Sequence, residues 1–426
     1  MSIKDGIIRG LWKGFSPSGY VKINNAFTFF FFAAPSVLGS MVTFAYHAGA
    51  VCCIFTIIRN PRFFSREPIA IRMTAAFYLL IVSYLFSTVL NGHWERMSSL
   101  LWLWTFFVFP FSYSIWRISD PVAIARIAAV ACSVGAIGGF LLIAVQYNIY
   151  DMRGEGGAGN PLVFAAVMAL AVAISFAECL RANGWRAVFH LCAAVVGVAA
   201  IILSESRGIW PALILNALLA IVVLRDNFRP LSLKSVAYFS LAAAFIAVLF
   251  IWIAVPRFAI ILEDYQMMKA GNFQTSSGLR LLMWEAGIDA WKGSKLFGLG
   301  SGGVREIVSE KIPQGGFTHL HNQFITTMVE AGLLGLVALL TVIAVPTMFA
   351  WRTLRVGASQ EQRMGALILF SVMITFVTSA MTNIMIHQDI MDTVFVTAII
   401  VGIFLCTGFS AVTDEGDAAS RQPTGT

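Results

Sequence analysis

The chain has 426 residues, of which 58% are hydrophobic and only 12% are charged, with a formal net charge of +7 at pH 7. A soluble domain carries about 25% charged residues, so this composition excludes a water-soluble globular protein of the same size. The basic residues are scattered among short loops, which excludes the clustered basic face of a nucleic-acid-binding protein. Lipid must therefore be the solvent for most of the surface, and the apolar runs must form helices that satisfy their own backbone hydrogen bonds.

Continuous apolar runs predict an all-α polytopic membrane protein with about twelve transmembrane helices, each close to the roughly 20 residues that a span requires. In chain order, the predicted spans are 25–42, 43–58, 70–90, 97–116, 122–147, 159–180, 187–203, 208–224, 235–255, 323–350, 364–385 and 390–410. The first pair is short for two crossings, and we expect a break near Pro35 and Gly39.

The distribution of Lys and Arg predicts the orientation of the chain, because these residues concentrate in cytoplasmic loops. Most of them fall in the N-terminal leader and in alternate loops, whereas Arg96, Arg153 and Arg207 lie in short loops of the opposite face. We therefore predict an inner-membrane protein with both termini in the cytoplasm. Its predicted parts are a cytoplasmic leader (1–24), helices one to nine (25–255), a periplasmic loop (256–322), helices ten to twelve (323–410) and a disordered cytoplasmic tail (411–426).

A polar turn between two apolar spans is the first candidate site. It has the sequence Ser-Glu-Ser-Arg-Gly at 204–208 and contains Arg207. Charge near the hydrocarbon is costly, so such an arginine is either an anchor that snorkels to the interface or a clamp for an anion such as phosphate. Arg153 and Glu155 are weaker candidates on the same face, in a glycine-rich loop whose composition allows mobility.

The large loop contains a predicted amphipathic helix over 277–292. Four apolar residues recur at helical spacing: Leu281, Trp284, Ile288 and Trp291. Arg280 lies inside this helix, where it snorkels, pairs with Glu285 or binds an anion. The glycine-rich stretch at 298–303 follows no strand and is therefore not predicted to bind a nucleotide.

Two histidines precede the re-entry of the loop into the membrane. His319 and His321 alternate in sequence, so they cannot share a helical face, and no third metal ligand is apparent. His321 is the better candidate for a general base, because imidazole titrates near neutral pH. Glu330 follows within the next helix, either as a buried hydrogen-bonding partner or as a residue that faces the bundle interior. Two arginines and a histidine on the outer face indicate a lipid-linked phosphate donor.

Several of these motifs follow one another between residues 204 and 335. They are the Ser-Arg-Gly turn at 206–208, Gly278-Leu279-Arg280 with Trp284, Leu296-Phe297-Gly298-Leu299-Gly300, His321-Asn322, and Glu330-Ala331-Gly332-Leu333-Leu334-Gly335. Their order and spacing resemble the O-antigen ligase/polymerase superfamily. We expect Gly332 and Gly335 to allow close helix packing.

The resemblance implies a membrane glycosyltransferase that moves a glycan from undecaprenyl diphosphate to an acceptor hydroxyl on the periplasmic face. The acceptor would be lipid A–core in a ligase or another glycan in a polymerase, and both remain open. The resemblance also implies inversion at the anomeric carbon without a metal or cofactor. By motif position, His321 would be the general base, and Arg207 and Arg280 would bind the diphosphate. Three further residues are expected to support the site: Glu330, His319 and Asn322.

Two other classes of protein fit the span count. A secondary transporter is one, but the chain has no repeated halves and few charges near the middle of its spans, with Glu330 as the exception. A non-catalytic scaffold of an envelope polysaccharide complex is the other, and it would be expected to carry a degenerate site.

Overall fold

A computed structural model describes residues 17–225, 262–311, 317 and 319–408, together with scattered positions between 240 and 260. These residues form α-helices, short 3-10 helices and turns, and the described part contains no strand. Ten helices among the described residues are long and apolar enough to cross a membrane. The predicted all-α polytopic fold is therefore confirmed. The ninth predicted span (235–255), most of the predicted leader and the tail (411–426) lie largely outside the described residues.

The helices before the large loop are α1 (Pro17–Ala33), α2 (Pro35–Leu38), α3 (Met41–Arg59), α4 (Pro68–Leu90), α5 (Trp104–Phe107), α6 (Phe109–Trp116), α7 (Pro121–Ile149), α8 (Pro161–Arg181), α9 (Trp185–Leu203) and α10 (Trp210–Leu224). Short 3-10 helices cover Pro61–Phe63, Trp94–Leu103, Gly156–Ala158 and Arg207–Ile209. The helices of the loop and the last spans are α11 (Ser276–Gly293), α12 (Gly303–Lys311), α13 (Gln323–Arg355), α14 (Gln360–Ala380) and α15 (Asp389–Thr407).

Helix starts follow simple capping rules. Several helices begin with a proline, whose missing N–H needs no intrahelical partner at the first position. Asp120 caps α7 by accepting from the backbone N–H groups of Val122 and Ala123, and Asn160 caps α8 in the same way.

Two of the differences from the predicted spans affect how the structure is interpreted. Helix α1 begins at Pro17, within the predicted leader, and ends at Ala33; Pro35 then starts a new short helix and Gly39 has a φ of 53°, so the expected break is present. Helix α14 ends at Ala380 instead of continuing to residue 385, which places 381–388 in a connecting segment. This second difference matters because the segment carries polar residues of the candidate site.

The long helix α13 is broken near its start. Gly332 has φ 66° and ψ −163°, far from helical values, and the break removes the intrahelical bonds across it. The loop segment at 295–300 replaces them. Leu333 and Leu334 donate to the carbonyls of Lys295 (2.9 Å) and Leu296 (3.3 Å), while Leu299 and Gly300 donate to the carbonyls of Val329 (2.7 Å) and Glu330 (3.0 Å). Gly332 thus serves contact between a helix and a loop, and the predicted role in packing two helices is wrong for this residue.

The described part of the large loop has a small core of its own. Five buried apolar residues form it: Met283, Val304, Val308, Leu320 and Val329. The predicted apolar face of α11 is only partly correct, since Leu281 is 45% and Ile288 39% exposed, whereas Met283, Ala286 and Gly287 are buried. Because Val329 belongs to α13, the loop core packs directly on the start of that span.

Candidate functional site

The turn that carries Arg207 is held by its own serines. Both serines are buried, and their hydroxyls donate to backbone carbonyls: Ser204 to Ile201 (2.7 Å) and Ser206 to Pro161 (2.9 Å). Between them, Glu205 has a φ of 55°, in the left-handed region that few non-glycine residues adopt. Arg207 follows as the first residue of a 3-10 helix and is half-buried. The motif thus fixes the backbone from which the Arg207 side chain projects.

Gly208 brings this turn against the segment that follows α14. A Cβ atom at Gly208 would lie 2.5 Å from Oγ1 of Thr382, so only glycine fits here without a shift. The next residue, Asn383, is buried. The contact therefore places Arg207 next to the segment that also touches the histidines described below.

Arg153 binds the same turn from a different loop. Its Nε donates to the carbonyl of Ser204 (2.8 Å), and its Nη2 lies 3.4 Å from the carbonyl of Glu205 and 3.5 Å from Oγ of Ser206. Its loop is anchored rather than loose, because the Gln146 side chain accepts from the N–H groups of Glu155 and Gly156 and donates to the Gly156 carbonyl. The sequence made Arg153 a weaker candidate, and the structure joins it to the turn that carries Arg207.

Arg280 lies on α11 within electrostatic reach of both other arginines. Burial lowers the pKa of its guanidinium, and the charges of Arg207 and Arg153 lower it further. A like charge that lowers the pKa of a group lies close to that group in space. Three arginines from three distant parts of the chain therefore concentrate positive charge at one end of the bundle.

His321 adjoins this charge. Its pKa is lowered to about 4, first by burial, then by the neighbouring His319 and by Arg280, while the Asn383 side chain acts in the opposite direction. The backbone of His321 has a φ of 49°, and its Nδ1 is buried without a hydrogen-bond partner among the described residues. At neutral pH the imidazole is therefore uncharged and able to accept a proton.

His319 contacts His321 directly. Their ring centroids are 4.2 Å apart. Burial lowers the pKa of His319, Asn383 raises it, and the charge of His387 lowers it. The His387 ring stacks on Trp102 at 5.3 Å. Sequence reasoning missed Asn383, because the predicted span to residue 385 placed it inside a helix.

The loop that carries the histidines is held on both sides. Nε1 of Trp284 donates to the carbonyl of Leu320 (2.9 Å), between the two histidines. Asn322 caps α13, its Oδ1 accepting from the N–H of Ile325 (3.1 Å), and its Nδ2 donates to the carbonyl of Met381 (3.4 Å). These bonds give Asn322 a structural role that connects α13 to the segment after α14.

Glu330 lies outside this cluster. Its buried side chain accepts a hydrogen bond from the N–H of Gly302 through Oε1 (3.1 Å), and its carbonyl accepts from Oγ of Ser87 (2.6 Å). Ser87 and Thr88 also accept from the N–H groups of Gly300 and Ser301. Of the two roles that the sequence left open, the structure shows the buried hydrogen-bonding partner, and the group it holds is the glycine-rich loop.

The fold and this cluster define a class: a polytopic membrane protein that places concentrated positive charge beside a neutral imidazole at one end of its helices. Residues 192–340 match the family model described as O-antigen ligase. This match confirms the resemblance to the O-antigen ligase-like superfamily. The matched region contains Arg207, Arg280 and His321, whereas Arg153 lies before it.

One relative among the curated proteins is similar over a short segment. An uncharacterized protein of Haemophilus influenzae is 33% identical over 89 residues, which is 19% of this chain and 22% of that protein. The chain therefore matches only about a fifth of the length of this relative.

Proposed function

We propose that this protein is a membrane glycosyltransferase that moves a glycan from undecaprenyl diphosphate to an acceptor hydroxyl, as an O-antigen ligase or polymerase does. The observation that carries the proposal is the convergence of Arg207 and Arg280 with His321 within the family-matched region. The charge suits a diphosphate, and the imidazole suits a hydroxyl that must lose its proton. Among the described residues, this is the cluster that combines both chemistries.

The proposed reaction is a direct displacement. The acceptor oxygen attacks the anomeric carbon, the bond between that carbon and the diphosphate oxygen breaks, and the bonding electrons leave with the diphosphate. His321 takes the proton of the acceptor hydroxyl as the new bond forms. A single attack from the face opposite the leaving group inverts the anomeric carbon.

Arg207 and Arg280 are proposed to stabilise the leaving group. The diphosphate gains negative charge as the glycosidic bond breaks, and guanidinium groups can bind it bidentately. Preorganised charges of this kind act without reorganisation during the reaction, and removal of one such donor typically lowers kcat by about 10²–10³-fold. No metal or cofactor is required in this scheme, since the arginines supply the positive charge.

The proposed location is the periplasmic face of a bacterial inner membrane, with both termini in the cytoplasm. Support comes from the Lys and Arg distribution, which has three exceptions on the proposed periplasmic face, and each exception has a local explanation. Arg153 and Arg207 belong to the cluster, and Arg96 pairs with Glu306 of the large loop. Each of these three arginines therefore makes an ion pair or belongs to the arginine cluster on the side where we place the donor.

The general reaction is tested by transfer in lipid vesicles that contain the purified protein, a glycan-loaded undecaprenyl diphosphate and an acceptor. We expect His321→Ala to abolish transfer, with His93→Ala as a matched histidine control that retains it. Both variants should keep the thermal midpoint of the parent protein. Transfer that persists in folded His321→Ala would contradict the proposed base.

The acceptor is tested in a deletion strain whose surface glycans are separated on a gel. Polymer that is lost from lipid A–core but retained on the lipid carrier would identify a ligase. Loss of long chains altogether would identify a polymerase.

A further inference from the structure

The end of α9 needs partners for its last carbonyl groups. The final four carbonyls of a helix have no intrahelical donor, and the C-terminal end of the helix dipole favours a cation. The chain itself supplies donors to the carbonyls of Ala200, Ile201 and Ile202. The Arg153 guanidinium donates to the carbonyls of Ser204 and Glu205 just beyond that end, where its charge also suits the helix dipole. A charged side chain from the α7–α8 loop thus caps the helix that leads into Arg207.

The capped turn is one that requires outside support. Glu205 adopts a left-handed conformation that costs a non-glycine residue on the order of 1 kcal/mol. Arg153 bonds the carbonyl groups on both sides of the Glu205 φ angle and reaches the Ser206 hydroxyl. These bonds act together with those of the Ser204 and Ser206 hydroxyls to hold the turn two residues before Arg207.

The charge of Arg153 also reaches the candidate site. Arg153 is an exposed residue, so its charge lies at the surface of the turn. Its effect on Arg280, on a separate element, shows that the two charges act over the same space. An anion bound between Arg207 and Arg280 would therefore interact with Arg153 as well.

Resting on the proposed function, we infer that Arg153 is a positioning residue for the diphosphate: it fixes the turn that presents Arg207 and adds a third positive charge to the binding site. Its role differs from that of a general structural arginine in that its loss should weaken donor binding selectively. The bonds to Ser204 and Glu205 require a fork of donors, which arginine provides and lysine only partly replaces.

The experiment compares Arg153→Gln and Arg153→Lys with Arg181→Gln in vesicles. Arg181 also lies at a helix C-terminus and pairs with Glu178, but it belongs to the opposite end of α8. For Arg153→Gln we expect the KM for the donor to rise about tenfold or more, the size of one charge-assisted hydrogen bond, with a smaller fall in kcat. Arg153→Lys should recover part of the increase, and Arg181→Gln should leave the KM unchanged.

A binding measurement separates this inference from the proposed reaction. Farnesyl diphosphate is titrated against the detergent-solubilised variants, with farnesol as the uncharged control. We expect weaker binding of the diphosphate, but not of farnesol, to Arg153→Gln and to a lesser degree to Arg153→Lys. If the parent protein transfers no glycan, the proposed function fails while this comparison still tests Arg153.

Two results would overturn the role of Arg153. One is an unchanged KM and an unchanged affinity for farnesyl diphosphate in folded Arg153→Gln. The other applies if that variant does not fold: affinity and KM equal to those of the parent in folded Arg153→Lys would also exclude a positioning role that needs the guanidinium fork.

Discussion

Gly298 of the large loop and Gly332 of α13 lie in direct backbone contact. A Cβ atom on Gly298 would lie 2.6 Å from the Gly332 nitrogen, and a Cβ on Gly332 would lie 2.3 Å from the Leu296 carbonyl oxygen. Both residues have a positive φ, 73° and 66°. The contact is what allows the loop backbone to supply the hydrogen bonds that the break in α13 removes.

Gly332→Ala should destabilise the protein severely. The substitution adds a clash with backbone atoms to a conformation (φ 66°, ψ −163°) that is essentially restricted to glycine and alone costs about 1–3 kcal/mol. Gly357→Ala is the matched control, because Gly357 also has a positive φ (90°) but would meet no atom within 4 Å. The midpoint temperature of thermal aggregation in detergent should fall much further for Gly332→Ala than for Gly357→Ala. An equal fall in the midpoint temperature of both variants would mean that the contact with Leu296 does not contribute to stability.

Substitutions of Glu330 test whether folding and transfer depend on the charge of its side chain or on the oxygen that accepts a hydrogen bond from Gly302. Glu330→Gln keeps an acceptor for the Gly302 N–H and should retain both folding and transfer. Glu330→Leu leaves that N–H without its partner, and a buried unsatisfied donor costs about 1–3 kcal/mol. We expect a lower thermal midpoint and lower transfer for the leucine variant alone. Ion-coupled uptake by the parent protein in vesicles that is lost in Glu330→Gln would instead favour the transporter class.

The pH dependence of transfer should reflect the low pKa of His321. A base must be neutral to act, and the pKa of about 4 means that the free protein is ready at any higher pH. The acid limb of kcat/KM for the donor should therefore lie near pH 4. A bound diphosphate stabilises the protonated imidazole, so the acid limb of kcat should lie at higher pH.

Arg280→Gln changes the same profile in a direction fixed by electrostatics. The charge of Arg280 lowers the pKa of His321, so its removal should raise that pKa and move the acid limb of kcat/KM to higher pH. Only the pH of the limb is compared, so the lower rate expected for the variant does not enter the comparison. Arg181→Gln should leave the limb in place, and a shift toward lower pH in Arg280→Gln would contradict the assigned neighbourhood.

Trp284→Phe removes a single donor while keeping an aromatic ring. The lost bond to the Leu320 carbonyl loosens the backbone between His319 and His321. A hydrogen bond contributes about 1 kcal/mol, so we expect transfer to fall about five- to tenfold. Trp291→Phe is the control, because Trp291 donates to Lys295 away from the histidines. Similar losses in the two variants would argue against a specific effect on the histidine loop.

The membrane fold could be predicted because lipid leaves the chain few options. Apolar runs near 20 residues long must be helices, and most of their ends agree with the structure within the described residues. The break in α13 could not be predicted in this way. Its cause is a partner segment at 295–300, and hydropathy alone does not reveal which distant backbone will complete a helix.

The candidate site was partly accessible from sequence. Arg207, Arg280 and His321 were found through their motifs and through the cost of charge near hydrocarbon. Arg153 was only a weaker candidate and Asn383 was not found, because the contacts of both residues are created by folding. Asn383 also follows a long apolar run, so its position in a connecting segment was hidden by the predicted end of the span.

Backbone hydrogen bonds join the break in α13 to residues 295–300 of the large loop. This contact determines which segment can be exchanged between relatives. A chimera that replaces only the loop would set a foreign backbone against the broken helix, and the hydrogen bonds that complete the helix would have to form again with that backbone. A fragment that spans residues 276–340 would include both sides of this contact. Exchange of the loop should therefore preserve folding only when the first turns of the following span are exchanged with it.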